Sequence, residues 1–274
     1  MPRHTPPRPL DVEELFPEVV PFRRETVRLH PRAGEPTHRD SSVGGPLLWP
    51  EREPWPVCPT HEASPMVPVV QIYRSDMPDA VRSPFPDGCD LLQVLWCPLE
   101  HAGEWVVPHI RCRASDAVGA PAGPPPVPSA ARRGRVPRPC VVHPEQVTEY
   151  ASWDLPSEVR DVLEKRFEEV EAATGWDYQY HLSTAPGIKL GGWPGWSQEP
   201  AWPRCTQCRR PMEHLLTVES WEADAESGLT WTPVEDRGRR YDGPDLMLGD
   251  AGGVYLFVCT ACPDRPYTHR FDCA

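Results

Sequence analysis

GGPLLWPEREPWPVCPTH (44–61) and GGWPGWSQEPAWPRCTQC (191–208) decide the fold, because the second reads as a copy of the first. Gly44-Gly45, Trp49, Trp55-Pro56 and Cys58 recur as Gly191-Gly192, Trp196, Trp202-Pro203 and Cys205, each 147 positions on (191 − 44 = 147) without a gap. Tryptophan is rare, so two matched tryptophans beside a matched glycine pair point to an internal repeat. The glycine pairs permit positive φ or a close backbone approach before a strand. They lack the further glycine and the strand–helix setting of a phosphate-binding loop. The tryptophans read as packing around the cysteine turns rather than as stacking platforms for a ligand.

Outward from these stretches the register slips by one, aligning Pro65-Met66 with Pro211-Met212. LLQVLWC, ending at Cys97, then matches VYLFVC, ending at Cys259, and HIRC (109–112) resembles HRFDC (269–273). Short β-branched or aromatic runs bounded by Gly, Pro or Asp predict strands at 66–73, 91–96, 104–110, 214–220 and 254–258. One helix is expected from Ser157, with Val159, Val162, Leu163, Phe167 and Val170 at helical spacing. Asp154 or Ser157 would cap its start and Gly175 its end. The expected fold is mainly β (α+β): tandem duplicated units with zinc knuckles and one substantial helix.

Five segments follow. Residues 1–40 form a proline-rich surface arm anchored by Leu15, Phe16, Val19 and Val20. Residues 41–118 are the first unit, and 119–152 a Pro/Arg-rich connector with little capacity to build a core. Residues 153–185 hold the helix and a linker, and 186–274 the second unit. The acidic stretch 219–250 reads as a solvated insertion.

Cys205-x2-Cys208 and Cys259-x2-Cys262 supply four thiolates, and two such turns can close a tetrahedron around zinc. Neither CTQC nor CTAC has the strand-to-helix setting of a redox dithiol. The equivalent front positions are Cys58, His61, Cys97 and His101, a set of two cysteines and two histidines for a possible second ion; Cys89, His109 and Cys112 are substitutes for these ligands. Cys140 and Cys273 read as small buried apolar groups. Histidines 4, 30, 38, 143, 181 and 214 show no partner pattern.

A closed set of four protein ligands argues against hydrolytic zinc. With no HExxH, nucleophile elbow or persuasive carboxylate pair in the chain, the sequence reads as non-enzymatic. Its formal charge of −12 opposes binding to a phosphate backbone and suits a basic protein partner. The N-terminus lacks the apolar core of a signal peptide, and no apolar run approaches the ~20 residues of a membrane span. A cytoplasmic protein without a membrane partner is expected, its ten cysteines reduced.

DSSVGGPLLWP with its following Pro-Met and VVQIY, and IKLGGWPGW with its two CxxC pairs, resemble the bacterial YwqG-like family. The back half is also similar to the eukaryotic programmed cell death protein 2 family. The resemblance covers 41–115 and 186–274. It places Gly191, Gly192, Pro194 and Trp196 in that family's turn, Cys205 and Cys208 in the first knuckle, and Cys259 and Cys262 in the second. The family's Gln-Val-Tyr strand appears as Gln71-Ile72-Tyr73 in front but as Thr217-Val218-Glu219 behind. The resemblance implies a chaperone-like role toward a ribosomal protein, an immunity role against a toxin, or RNA processing. The expectation is a zinc-binding interaction module for a basic client. The alternative is an RNA-binding zinc ribbon using Arg132, Arg133, Arg135 and Arg138.

Overall fold

The computed structural model describes residues 1–61, 64–78, 85–103 and 105–273. Among them, twelve strands form two six-stranded antiparallel sheets. The front sheet joins β2 (Arg32–Ala33), β7 (Cys140–Val141), β3 (Ser42–Val43), β4 (Val67–Tyr73), β5 (Leu91–Trp96) and β6 (Pro108–Arg113), in that order. The back sheet joins β12 (Tyr267–Asp272), β11 (Gly253–Val258), β10 (Glu213–Glu219), β9 (Lys189–Gly191), β1 (Arg23–Arg28) and β8 (Glu145–Tyr150). The fold is mainly β, as expected. The strand expected over 104–110 runs instead as β6; Glu104 lies outside the described residues.

The runs β3-β4-β5-β6 and β9-β10-β11-β12 have the same order and the same antiparallel sense. Each carries a register shift at a matching place, between Pro68 and Val70 in one and His214 and Leu216 in the other. Each also has a small bridge beside its first knuckle, Val57 with Pro65 and Arg204 with Pro211.

Strand alternation sends Val70, Ile72, Leu92 and Val94 from the front sheet toward Val27, Leu190, Leu216, Val218 and Leu256 from the back sheet. These side chains make one shared core, in which each fully buried one contributes about 1.5–3 kcal/mol. The two units therefore do not have separate cores.

Segments expected to be peripheral supply part of this frame. The arm places β1 between β8 and β9, in the interior of the back sheet. The connector supplies both β7 and β8. Arm anchoring follows expectation at Phe16 and Val19, both fully buried, whereas Val20 is exposed.

The long helix (Ser157–Thr174) starts after Pro156 without a side-chain cap and ends at Gly175, whose φ is +77°. Leu163 is fully buried and Phe167 stacks on Tyr178 at 4.1 Å, but Val162 points outward and is 61% exposed. The apolar stripe is thus narrower than the sequence spacing suggested. Asp154, expected as a cap, instead accepts hydrogen bonds from the indoles of Trp196 and Trp202.

The outer face of the back sheet is polar yet covered. Lys189 and Glu149 are fully buried and paired, and Glu149 also accepts the Ala185 N–H at 3.0 Å and the Trp193 N–H at 2.8 Å. A Cβ on Gly192 would collide with Glu149 Oε2, and φ there is +70°. The second glycine of the pair is therefore required by the carboxylate beneath it. Residues 219–250, expected to be solvated, lie partly over this layer. Glu222 is buried and accepts the Ile188 N–H, and Trp231 is buried, while Leu248 turns into the shared core between the sheets. A charged run reads as a wet surface only when no buried counter-charge awaits it; here Arg28 lies beneath, donating to the Glu222 and Trp231 carbonyls.

Candidate metal centres

Both proposed ligand sets converge. Cys205, Cys208, Cys259 and Cys262 form one group, and Cys58, His61, Cys97 and His101 the other. Within each group all ligand atoms lie within 4.8 Å of one another. Pairs separated by about forty residues in front and about fifty behind meet because β4 and β5 are neighbours, as are β10 and β11. Cys259 and Cys97 directly follow the ends of β11 and β5.

In the back group Cys205 Sγ lies 3.8 Å from Cys262 Sγ, and Cys208 Sγ 3.6 Å from Cys259 Sγ. A tetrahedron with Zn–S arms of about 2.3 Å has S–S edges of about 3.8 Å. A disulfide would need about 2.05 Å, and all four cysteines are free thiols. In the front group Cys58 Sγ lies 3.3 Å from His101 Nε2, and His61 Nδ1 lies 3.6 Å from both Cys58 Sγ and Cys97 Sγ. Zn–N arms of about 2.0–2.1 Å predict S–N edges near 3.6 Å. Both donor sets fit a tetrahedral ion of zinc's size and ligand preference.

The thiol chemistry agrees with the distances. The backbone N–H of Cys208 lowers the Cys205 pKa against the opposing effect of burial, with help from the Gln207 N–H. Burial raises Cys262, and its three neighbouring cysteines raise it further. One knuckle favours a thiolate while crowding disfavours four together, a conflict that a divalent cation relieves. In front, burial likewise raises Cys97, opposed by the Leu99 N–H.

Aromatic residues enclose both groups at corresponding positions. Trp196, Met212, Tyr255 and Phe257 cluster with the back cysteines, and Trp202 packs against them. Trp49, Met66 and Leu95 cluster with Cys58 and Cys97, with Trp55 alongside. Asp154 holds the Trp196 and Trp202 indoles, and burial raises its carboxyl to about 6 despite those hydrogen bonds. Nothing in the sequence around Asp154 signals this role, since its partners lie about forty to fifty residues away.

Cys89, His109 and Cys112 take no part in either group. His109 faces Trp49 at 6.2 Å, while Cys89 and Cys112 line a cleft beside Arg265. Cys140 is fully buried, as expected, but Cys273 is only half-buried. His30, His181 and His214, which read as scattered, are all buried; His30 bonds Glu145 at 2.9 Å and His214 bonds Thr217 at 2.9 Å.

No protein-family model matches the chain, and no curated protein matches it. Among the described residues no helix is long and apolar enough to cross a membrane.

Proposed function

We propose that this chain is a zinc-stapled, non-catalytic interaction module whose client is a basic protein, held in a chaperone-like or immunity-like way. The supporting observation is the pair of four-residue Cys/His groups, each closed to tetrahedral edge lengths by protein atoms alone. A zinc ion so enclosed would fix strand ends rather than bind a substrate. The matching strand order, bulge and bridge of the two halves support reading them as one unit used twice.

Charge selects the client. A net charge of −12 draws in a cationic partner and repels a nucleic acid backbone. Three of the four connector arginines that would favour RNA are already engaged. Arg132 pairs with Glu100, and Arg138 with Asp242 and Asp245. Arg135 is buried, donating to the Leu99 carbonyl.

The test uses protein purified without added zinc, offered an arginine-rich peptide, a glutamate-rich peptide and a single-stranded RNA. The expected result is about two zinc ions per chain and binding of the arginine-rich peptide alone, weakening as salt rises. Metal-free folded protein, or tighter binding to the RNA, would refute the proposal.

A further inference from the structure

The outer faces of the two sheets differ at one row of side chains. In the front sheet that row is Tyr73, Leu91 and Arg113, paired across β4, β5 and β6. In the back sheet the row in the same register is Glu219, Gly253 and Asp272, across β10, β11 and β12. The front row is filled. Leu91 is fully buried, and the Arg113 guanidinium lies over the Trp49 ring at 4.5 Å while binding both oxygens of Glu53 at 2.7 and 3.2 Å.

The back row is open. A cavity of about 370 Å³ lies over this row, lined by Glu219, Gly253, Asp272, Tyr255 and Trp196, the counterpart of Trp49, and Glu219 Cγ sits where a Cβ on Gly253 would come within 2.9 Å of it. Asp272 is nine-tenths buried; its Oδ2 accepts the N–H groups of Ser197 (2.7 Å) and Gln198 (3.2 Å). Glu219 Oε2 accepts the Gly187 N–H at 2.6 Å. The other oxygen of each carboxylate has no hydrogen-bond partner among the described residues. The front unit thus carries its own guanidinium on its tryptophan. The back unit has inverted the charge of the row and left out the filling side chain.

We propose that this cavity receives an arginine side chain from the basic client, its guanidinium placed between Glu219 and Asp272 beside Trp196. Two carboxylates and an indole suit a planar cation with several donors better than a compact ammonium. Burial holds the Glu219 carboxyl up at about 7, as expected for an acid without a nearby cation strong enough to offset its desolvation. This inference rests on the proposed function, and names the point at which the client is gripped.

The experiment titrates the metal-loaded full chain with an arginine-containing basic peptide and with the same peptide carrying citrulline, which keeps the shape and removes the charge. Calorimetry is run on the native chain, on Glu219→Gln, which is isosteric, and on Gly253→Leu, which restores the front unit's filler. Loss of one charge-assisted contact should weaken the arginine peptide about tenfold or more, both for citrulline and for Glu219→Gln. Gly253→Leu should reduce binding at least as much while keeping its zinc content. Equal binding of arginine and citrulline peptides, or undiminished binding to a folded Glu219→Gln chain, overturns the cavity while leaving a basic client in place. No binding of the basic peptide to the native chain overturns both readings.

Discussion

Replacing Cys205 by serine should remove one zinc ion of two and destabilise the back half of the sandwich. The size of the effect can be worked from the site. Structural zinc in small proteins contributes roughly 10–16 kcal/mol of apparent binding energy over four ligands, or about 2.5–4 kcal/mol per ligand. Cys205 is fully buried within the cluster of Trp196, Phe257 and Trp202, so water cannot readily take the place of the lost sulfur. A serine hydroxyl left there without a metal costs about 1–3 kcal/mol of its own. One ligand's share plus this cost sets a lower bound of about 3.5 kcal/mol on the loss, since the whole ion leaves, and against a domain stability of roughly 5–15 kcal/mol that is severe. For a chain of this length that bound corresponds to a fall in Tm of at least about 7 °C.

Elemental analysis and thermal unfolding, with and without a chelator, measure both quantities. The native chain should hold about two ions and melt lower with chelator; Cys205→Ser should hold one, in the front group. Cys273→Ser, at a half-buried cysteine outside both groups, is the control and should change Tm by about a degree at most. A Cys205→Ser chain that keeps two ions and its native Tm would refute the convergence of the four thiolates on one ion.

Three further outcomes are expected. Replacing the front ligand His61 by alanine should lower the metal content by one ion and leave the sulfur-to-metal absorption of cobalt-substituted protein dominated by the four-cysteine group; loss of both ions would show the groups to be coupled. Lys189→Met strands the buried Glu149 carboxylate and should cost about 3–5 kcal/mol by urea unfolding, part of which the added change Glu149→Gln should recover; a loss below about 1 kcal/mol would mean that the pair is not held as described. Burial, aided by the charge of Lys189, holds His214 down to about 3, so its stabilising effect is complete above pH 6.5 and lost as pH falls toward 3, where the unfolded chain takes the proton. The stability advantage of the native chain over His214→Gln should therefore shrink by about 1.4 kcal/mol per pH unit below 6.5 in urea titrations; a constant difference between about pH 7.5 and 5 would contradict a neutral buried imidazole.

The metal ligands and the strands beside them could be read from the sequence because their chemistry is local. A CxxC turn, a Gly-Gly before a strand and an apolar run each announce themselves within about ten residues. β1 and β8 could not be read this way. RRETVR and EQVTEY are mostly charged or polar, with Val27 in the first and Val147 and Tyr150 in the second as their apolar residues, the pattern of a loop, and their pairing joins positions more than a hundred residues apart. Arg28 and Glu149 on them are buried by a third layer, made of the arm, the long helix and residues 221–231, that no single segment predicts.

The cavity was hidden for a related reason. Gly253 and Leu91 stand at the same distance before Cys259 and Cys97 in runs that align as apolar strands, but only the pairing shows that each lies in an outward row between Glu219 and Asp272 or between Tyr73 and Arg113. One departure was visible all the same: Gln71-Ile72-Tyr73 stands against Thr217-Val218-Glu219. A tyrosine donates from that position to the His38 carbonyl and closes its face, whereas a glutamate beside a glycine keeps the face open and charged. If the two units began alike and the knuckles hold zinc as proposed, the metal is what permitted this change. It would hold β10 against β11 at one end, so the other end of the row could lose its packing without losing the sheet. On that reading the stapled end and the open row belong to one arrangement, in which stability gained at the knuckle would leave a neighbouring position free to bind the proposed client.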